Sequence, residues 1–405
     1  GNHREHHMTI SRRNVLLGSA GALSTAAFSF PKPALAESEP IKIGWLAAMT
    51  GPSSAPTVGF NRGVIFAVDA INAAGGVKGR KIEVITRDTQ GDPTKAVNAT
   101  QELISQAKVH ALWGPVNSGE ALATTPIMAR AKMPNIHPCV VESLIDTTKF
   151  PNAFRMAPSN SQWDDAVRGY CLNILKAKKV AVIGDTTGYG VTAVGASVAA
   201  FKKDGADVVY QANIDSTQPD MTPDLLRARN AGAEVIAVWS VSTGMDARMF
   251  NTRAAMNWDV AFVGHPSLAS GEIAGLVEKP ANWEKVYCIG YKSVSYDAAG
   301  KLPARTQDLV DRLIKAKVEI NDTLLWWIAG GIDAIELFAK GVEVSGSTDS
   351  AGIIAYLNSL SKYPGYYGDY TFTPTQHNGY PTDDVVMSAA NSAKNGTFAL
   401  APGYS

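Results

Sequence analysis

The segment from residue 41 to residue 93 constrains the fold of this chain more than any other stretch. It contains an apolar run at 41–48, a helical apolar pattern at 58–74 and a second apolar run at 81–86. Gly75 and Gly76 end the helical pattern before the second run begins. This is a strand–helix–strand unit, which predicts parallel strands and a ligand site at their carboxyl ends.

The same alternation of apolar runs and helical patterns continues as far as residue 263. Further strands are predicted at 109–113, 134–137, 179–184, 206–210, 234–239 and 260–263. Further helices are predicted at 94–108, 119–132, 164–178, 191–203, 223–230 and 245–257. The pattern indicates an α/β fold with two doubly wound lobes and parallel sheets. A single closed barrel is the alternative fold.

The charge balance and the hydropathy exclude two classes of protein. The 405 residues carry 37 basic and 37 acidic side chains, so the formal net charge is zero. A nucleic-acid-binding surface needs a basic excess, which is missing here. No run of eighteen apolar residues follows Ala36, so the mature chain is not expected to span a membrane.

The first 36 residues have the features of a targeting signal and not of a folded domain. Residues 11–17 pair Arg12 with Arg13 and resemble a twin-arginine export signal, and an apolar region covers 15–30. Residues 34–36 fit the rule for signal cleavage, so the mature chain is predicted to begin at Glu37 in the periplasm. The alternative is a structural first helix. Residues 1–7 are interpreted as a tag or upstream leader.

The sequence gives no sign of a metal site or of enzymatic chemistry. Cys139, Cys171 and Cys288 lie in apolar surroundings and are predicted to be buried and free. The chain lacks the phosphate-binding glycine motifs and the nucleophile elbow. Its histidines after the leader, at 110, 137, 265 and 377, have neither metal nor triad spacing. We therefore expect a binding protein without a cofactor.

The opening segment resembles the periplasmic solute-binding proteins of the branched-chain amino acid type, which are receptors of ABC importers. The resemblance is weaker beyond this segment and extends to about residue 382. The matching residues are Thr50, Gly51, Pro52, Gly63, Ala67, Asp69, Ala70, Ile71, Asn72, Gly75, Gly76, Val77, Lys78, Gly79, Asp88, Asp92 and Pro93. A disulfide common in that family is absent, because its two positions are Gly91 and Asn117 here.

The resemblance implies a type I periplasmic binding protein fold, with a three-strand hinge between its lobes. It places 37–157 plus 290–368 in the first lobe, and 158–289 plus 369–405 in the second. The first crossing falls at 150–159, and a strand at 284–294 returns the chain to the first lobe. The returning part is predicted to contain helices at 306–317, 324–340 and 350–359 and closing strands at 368–373 and 384–388. Such a hinge permits the cleft to open and close.

Candidate ligand-binding residues of the first lobe lie where its strands end. Those predicted are Ser53, Ser54, Asn117, Ser118, Gly119, Cys139, Val140 and Val141. The resemblance implies that the Ser118 hydroxyl and the backbone N–H groups of Cys139 and Val141 bind a ligand carboxylate. Oriented N–H donors near a helix start suit an anion. The alternative for Ser118 is a simple helix cap.

Four aromatic residues are the candidates from the second lobe: Trp163, Tyr189, Trp239 and His265. Tyr189 matches a position where the family often has a tyrosine that covers the ligand. Turn packing is the alternative for Tyr189, core packing for Trp239, helix capping for Trp163 and a simple loop role for His265. Trp326 and Trp327 lie on a helical pattern and are interpreted as packing residues, not as ligand contacts.

The predicted solute is a small carboxylate with an aromatic body, such as a benzoate or cinnamate derivative. Amino acid binders of the resembled family pair the ligand ammonium with a threonine and an acid, which correspond to Val141 and about Pro266 here. Neither can pair with a cation, although Asp164, Asp165 or Asp185 could replace the acid. The alternatives are a binder of branched-chain or other amino acids or amides, and a ligand-sensing receptor module. The expected partners are an ABC permease and ATPase, and the expected state is a monomer.

Overall fold

A computed structural model of the chain describes residues 38–381 and 383–404. The predictions for the leader and export signal lie outside these residues. The first part of the chain forms β1 (Ile41–Ala47), α1 (Ser54–Ala73), β2 (Ile82–Asp88), α2 (Pro93–Ser105), β3 (Ala111–Trp113), α3 (Ser118–Arg130), β4 (Asn135–His137) and β5 (Ala153–Arg155). Its five strands form one parallel sheet in the order β2-β1-β3-β4-β5.

The second part of the chain builds a second sheet by the same alternation. It forms α4 (Asn160–Gly169), β6 (Lys179–Asp185), α5 (Gly188–Lys203), β7 (Asp207–Ile214), α6 (Thr222–Asn230), β8 (Val235–Trp239), α7 (Thr243–Ala255), β9 (Ala261–Gly264) and β10 (Val286–Tyr291). A π-helical turn, Tyr170–Ile174, extends α4. The strands β10, β9, β8, β6 and β7 are parallel neighbours in that order.

The remaining chain adds α8 (Ala304–Lys315), α9 (Leu325–Ser345), α10 (Ser350–Leu357), β11 (Tyr363–Pro364), β12 (Asp369–Tyr370) and β13 (Val385–Ala389). Helix α9 packs along α1 in backbone contact. A Cβ added at Gly63 would lie 2.0 Å from the carbonyl oxygen of Ile328, and one at Gly331 would lie 2.0 Å from that of Phe60. The two helices can approach this closely only because both positions are glycine.

The structure confirms the α/β class and the two doubly wound lobes, and it corrects two local predictions. The strand expected to return the chain to the first lobe is β10, which belongs to the second sheet. The closing strand expected at 368–373 is only β12, which pairs with β11 in a separate two-stranded sheet. The segment at 150–159, predicted as the first crossing between the lobes, contains β5, the edge strand of the first sheet, and precedes α4. Antiparallel β13 closes the second sheet, as predicted for 384–388.

The strand order identifies where each sheet can bind a ligand. In the first sheet the order reverses between β1 and β3, and in the second it reverses between β6 and β8. Loops that follow such strands diverge and leave a crevice at the carboxyl edge. All three cysteines are buried and free, as predicted. No helix in the described part of the chain is long and apolar enough to cross a membrane.

Candidate functional site

A cavity lies between the carboxyl ends of the two sheets, at their two reversal points. It encloses about 480 Å³ of empty space, including its open side. Eight of the predicted ligand residues line it, and these are Ser53, Asn117, Ser118, Cys139, Val140, Trp163, Tyr189 and His265. Its lining combines aromatic and apolar side chains with a few polar groups, which is typical of a small-molecule site.

Four predicted residues do not line this cavity. Ser54 is the first residue of α1, and Gly119 contacts Gly188 at the start of α5. Val141 is buried but not part of the cavity wall. Trp239 ends β8, and its side chain is fully buried. It is therefore a core residue, which was the alternative interpretation.

Eight further residues line the cavity and were not among the predicted ligand contacts. These are Pro56, Phe60, Val116, Pro138, Ala157, Val241, Trp326 and Trp327. The two tryptophans were interpreted as packing residues because they lie on an apolar helical pattern. They start α9, and that helix packs against α1, which brings them to the cavity.

Asn117, and not Ser118, caps helix α3. The Asn117 side chain accepts from the N–H of Gly119 at 2.9 Å, and Glu120 completes a capping box with it. Asn117 also donates to the Ser53 hydroxyl at 3.3 Å. The alternative role of Ser118 as a simple cap is therefore wrong. Ser118 lines the cavity at the first turn of the helix.

Behind this wall, Glu120 is completely buried at the base of α3. It accepts from the hydroxyl of Thr89 and, at 3.4 Å, from the backbone N–H of Asn117. Burial raises the pKa of Glu120 to about 7, because an ionised carboxylate loses its hydration there. The group that supports the capping residue therefore changes charge near neutral pH.

The loop after β4 presents backbone groups to the cavity. The Cys139 N–H donates to His137 Nδ1 at 3.1 Å, so it is not free for a ligand carboxylate, contrary to expectation. Burial lowers the pKa of His137 to about 3, and the ring stays neutral. The N–H groups of Val140 and Val141 have no acceptor among residues 38–381 and 383–404.

Three rings of the second lobe pack against one another at the cavity. The His265 ring centre is 5.4 Å from that of Trp163, edge to face, and 5.3 Å from that of Tyr189. The Trp163 indole N–H donates to the Tyr291 hydroxyl at 3.0 Å, which leaves its ring faces for packing. The cavity therefore has an aromatic wall.

His265 and Tyr189 also carry polar atoms that no described residue satisfies. His265 Nδ1 accepts from the N–H of Ser267 at 3.0 Å. Burial lowers the pKa of His265 to about 3, so the ring is neutral and its proton is on Nε2. Within the described residues, the buried Tyr189 hydroxyl and the Trp326 indole N–H have no partner.

No ionised side chain lines the cavity in the part of the chain that the structure describes. The three acids that could have replaced the missing partner of an ammonium group are engaged elsewhere. Asp164 and Asp165 form ion pairs with Arg168 on the same helix. Asp185 accepts from the backbone N–H groups of Thr187 at 2.9 Å and Val241 at 2.8 Å. Pro266 starts a 3₁₀ turn after His265 and offers no charge.

Comparison with known proteins gives matches along most of the chain. The family model described as periplasmic binding protein matches residues 40–395. A Leu/Ile/Val-binding protein homologue of Brucella melitensis is 27% identical over 370 residues, which are 90% of this chain and 95% of that protein.

Two solved structures show the same fold. A periplasmic binding protein type 1 from Bordetella pertussis has a TM-score of 0.77 at 26% identity, and the match covers 90% of this chain and 100% of that one. An ABC transporter solute-binding protein of Rhodopseudomonas palustris in complex with 4-hydroxybenzoate has a TM-score of 0.72 at 20% identity, covering 89% and 95%. At 20% identity, the second match concerns the fold alone.

Proposed function

This chain belongs to the periplasmic binding protein family, whose members are non-enzymatic transport components, and on that basis we propose a ligand for it. The ligand is a small carboxylate with an aromatic body, such as a benzoate or cinnamate derivative, held between the two lobes. One observation carries this proposal: the cavity has an aromatic wall and free hydrogen-bond donors but no ionised side chain among the described residues.

The donors of the first lobe suit the carboxylate. The Ser118 hydroxyl lies at the amino end of α3, where the helix dipole favours a negative charge. Val140 lines the cavity beside it and has a free N–H, and the next N–H, of Val141, is also free. A carboxylate held by such donors needs no cationic partner in the wall.

The rings of the second lobe suit an apolar, flat body. Trp163, Tyr189 and His265 form one wall, and Trp326 and Trp327 also line the cavity. Aromatic rings pack edge to face or offset on one another with a gain beyond the buried area. The Nε2–H of His265 and the Tyr189 hydroxyl are available to a ring hydroxyl or another oxygen of the ligand.

A free amino acid is disfavoured by the same wall. Its ammonium group would enter a site where Asp164 and Asp185 are already engaged and where no acid lines the cavity. Burying an ammonium without a partner costs several kcal/mol. The name of the Brucella relative gives leucine, isoleucine and valine, so an experiment must include these amino acids as rival ligands.

The proposed role is delivery of this solute, by a monomeric chain, to an ABC permease and ATPase. The lobes of the proposed division comprise 37–157 with 290–368 and 158–289 with 369–405. Contacts that a ligand makes to both lobes at once would shift the population towards the closed form. A receptor that passes its signal to a membrane protein would use the same closure, and capture of the partner distinguishes the two roles.

A thermal-shift panel followed by calorimetric titration tests the ligand class. Benzoate, 4-hydroxybenzoate and cinnamate form one arm, and L-leucine, L-isoleucine and L-valine form the other. A ligand at a thousand times its dissociation constant adds about 4 kcal/mol of stability, which raises the melting temperature by several degrees. A shift with the aromatic acids alone supports the proposal. A shift with the amino acids alone overturns it.

A further inference from the structure

Arg155 is a completely buried cation directly behind the loop that borders the cavity. It lies on β5, and its Nη1 donates to the carbonyl oxygens of Val141 at 2.9 Å and Cys139 at 3.5 Å. No carboxylate of the described residues forms an ion pair with it. Glu142 acts on it only over a longer distance, and burial lowers the pKa of Arg155 to about 10.

In this loop the three carbonyl oxygens accept hydrogen bonds from the protein, whereas the N–H groups of Val140 and Val141 have no acceptor among the described residues. The carbonyl oxygens of Cys139 and Val141 face Arg155, and the carbonyl oxygen of Val140 accepts from the N–H of Asn160 at 2.7 Å. In a trans peptide the carbonyl and the following N–H point in opposite directions. The Val140 N–H therefore points away from the guanidinium, and the Val141 N–H points away from Asn160.

We propose that Arg155 is a positioning residue for an anionic ligand group, an inference that rests on the proposed function. The guanidinium binds the Cys139 carbonyl on the side away from the cavity and thereby orients the Val140 N–H towards the carboxylate, and its bond to the Val141 carbonyl holds the rest of the loop in place. Its positive charge acts on the same anion through a single layer of peptide. The loop is thereby better suited to anions than to cations, because its three carbonyls face donors of the protein and the positive charge of Arg155 lies behind them.

The energetics of the free protein agree with this role. A buried charge without a paired counterion is costly, and the cost falls when an anion binds close by. One guanidinium nitrogen, Nη2, has no partner among the described residues, so hydrogen bonds alone do not satisfy the group. Its Nε donates to Asn378 at 3.0 Å, in the segment between β12 and β13, so the same side chain also binds a second stretch of the chain.

The test compares acids with their neutral amides. Calorimetric titration would measure 4-hydroxybenzoate and 4-hydroxybenzamide, and L-isoleucine and L-isoleucinamide, on the wild type, Arg155→Gln and Arg155→Lys. We expect Arg155→Gln to reduce the preference for acid over amide about tenfold or more, since charge-assisted hydrogen bonds are the strong ones. Arg155→Lys keeps the charge but loses the geometry of the fork, so a smaller reduction is expected.

Asn378→Ala is the matched control, because it removes the contact of the Arg155 Nε with the segment between β12 and β13 and leaves the contacts with the loop. It should keep the acid preference within about twofold, the usual scatter of independent sites. An unchanged acid preference in either folded Arg155 variant overturns the positioning role while the proposed function stands. If the wild type binds none of these acids, the proposed function fails and the role of Arg155 fails with it.

Discussion

Gly119 and Gly188 touch across the cleft, backbone against backbone. A Cβ added at Gly188 would lie 2.5 Å from the Cα of Gly119, and one added at Gly119 would lie 3.1 Å from the Cα of Gly188. Each glycine belongs to the first turn of a helix that follows a strand, α3 in one lobe and α5 in the other. The lobes therefore meet at two helix starts, where neither position has room for a side chain.

We expect Gly188→Ala to weaken ligand binding by opposing closure. The added methyl group forces the two helix starts apart, and overpacking of this kind costs about 1–3 kcal/mol. Titration should show roughly a ten- to hundredfold loss of affinity. Small-angle scattering with saturating ligand should show a less compact particle than for the wild type.

Gly195→Ala is the control for this substitution. Gly195 lies on the same helix, and a Cβ there would meet nothing within 4 Å. Alanine in an open helical position stabilises by about 0.5–1 kcal/mol relative to glycine. Equal affinities of the two variants would show that the contact between Gly119 and Gly188 does not limit closure.

We expect Ser118→Ala to lower affinity without lowering stability. Ser118 lines the cavity, and a hydrogen bond from its hydroxyl to a charged group would contribute about 1.5–3 kcal/mol. Asn117 is the helix cap, so Asn117→Ala should instead destabilise the fold by about 1 kcal/mol. Titration combined with denaturant unfolding separates the two effects. Unchanged affinity in Ser118→Ala would remove Ser118 from the site.

The sequence predicted most of the strands and helices because the βαβ alternation repeats in both lobes. It could not place elements whose position depends on partners far along the chain. The sequence identifies β10 as a strand, but only its pairing with β9 and β13 assigns it to the second sheet. The local pattern predicts Trp326 as a core residue, and only the packing of α9 on α1 brings it to the cavity. Arg155 gives no signal at all, because its role depends on the carbonyls of a loop fourteen or more residues away.

The buried Glu120 should make stability depend on pH. Its pKa is raised from 4.5 to about 7, so between these values the folded state holds a proton that the unfolded state has lost. The contribution of protonated Glu120 to the free energy of unfolding is therefore fully present below about pH 4.5 and is lost as the pH rises through 7. Between the two pKa values the loss is about 1.4 kcal/mol per pH unit for one proton.

Glu120→Gln isolates this contribution, because glutamine can keep the capping box and cannot ionise. Denaturant unfolding at pH 5, 6, 7 and 8 should show a smaller decline in the variant than in the wild type. The difference belongs to Glu120 even though Asp333, whose burial raises its pKa to about 7, also titrates in this range. Parallel pH profiles would mean that Glu120 is already ionised at pH 5.

Tyr189→Phe should separate the aromatic body of the ligand from its polar substituent. In the free protein the Tyr189 hydroxyl is buried and has no partner among the described residues, so its removal should leave stability unchanged or raise it by about 1 kcal/mol. Affinity for benzoate should stay the same. Affinity for 4-hydroxybenzoate should fall by about 0.5–1.5 kcal/mol, because the variant loses the hydrogen bond between the Tyr189 hydroxyl and the hydroxyl group of the ligand. Tyr291→Phe is the contrasting variant, because the Tyr291 hydroxyl accepts from Trp163 and Tyr367, both at 3.0 Å, and its loss should destabilise the protein. An equal loss of affinity for both acids in Tyr189→Phe would mean that Tyr189 shapes the cavity and does not bond to the ligand.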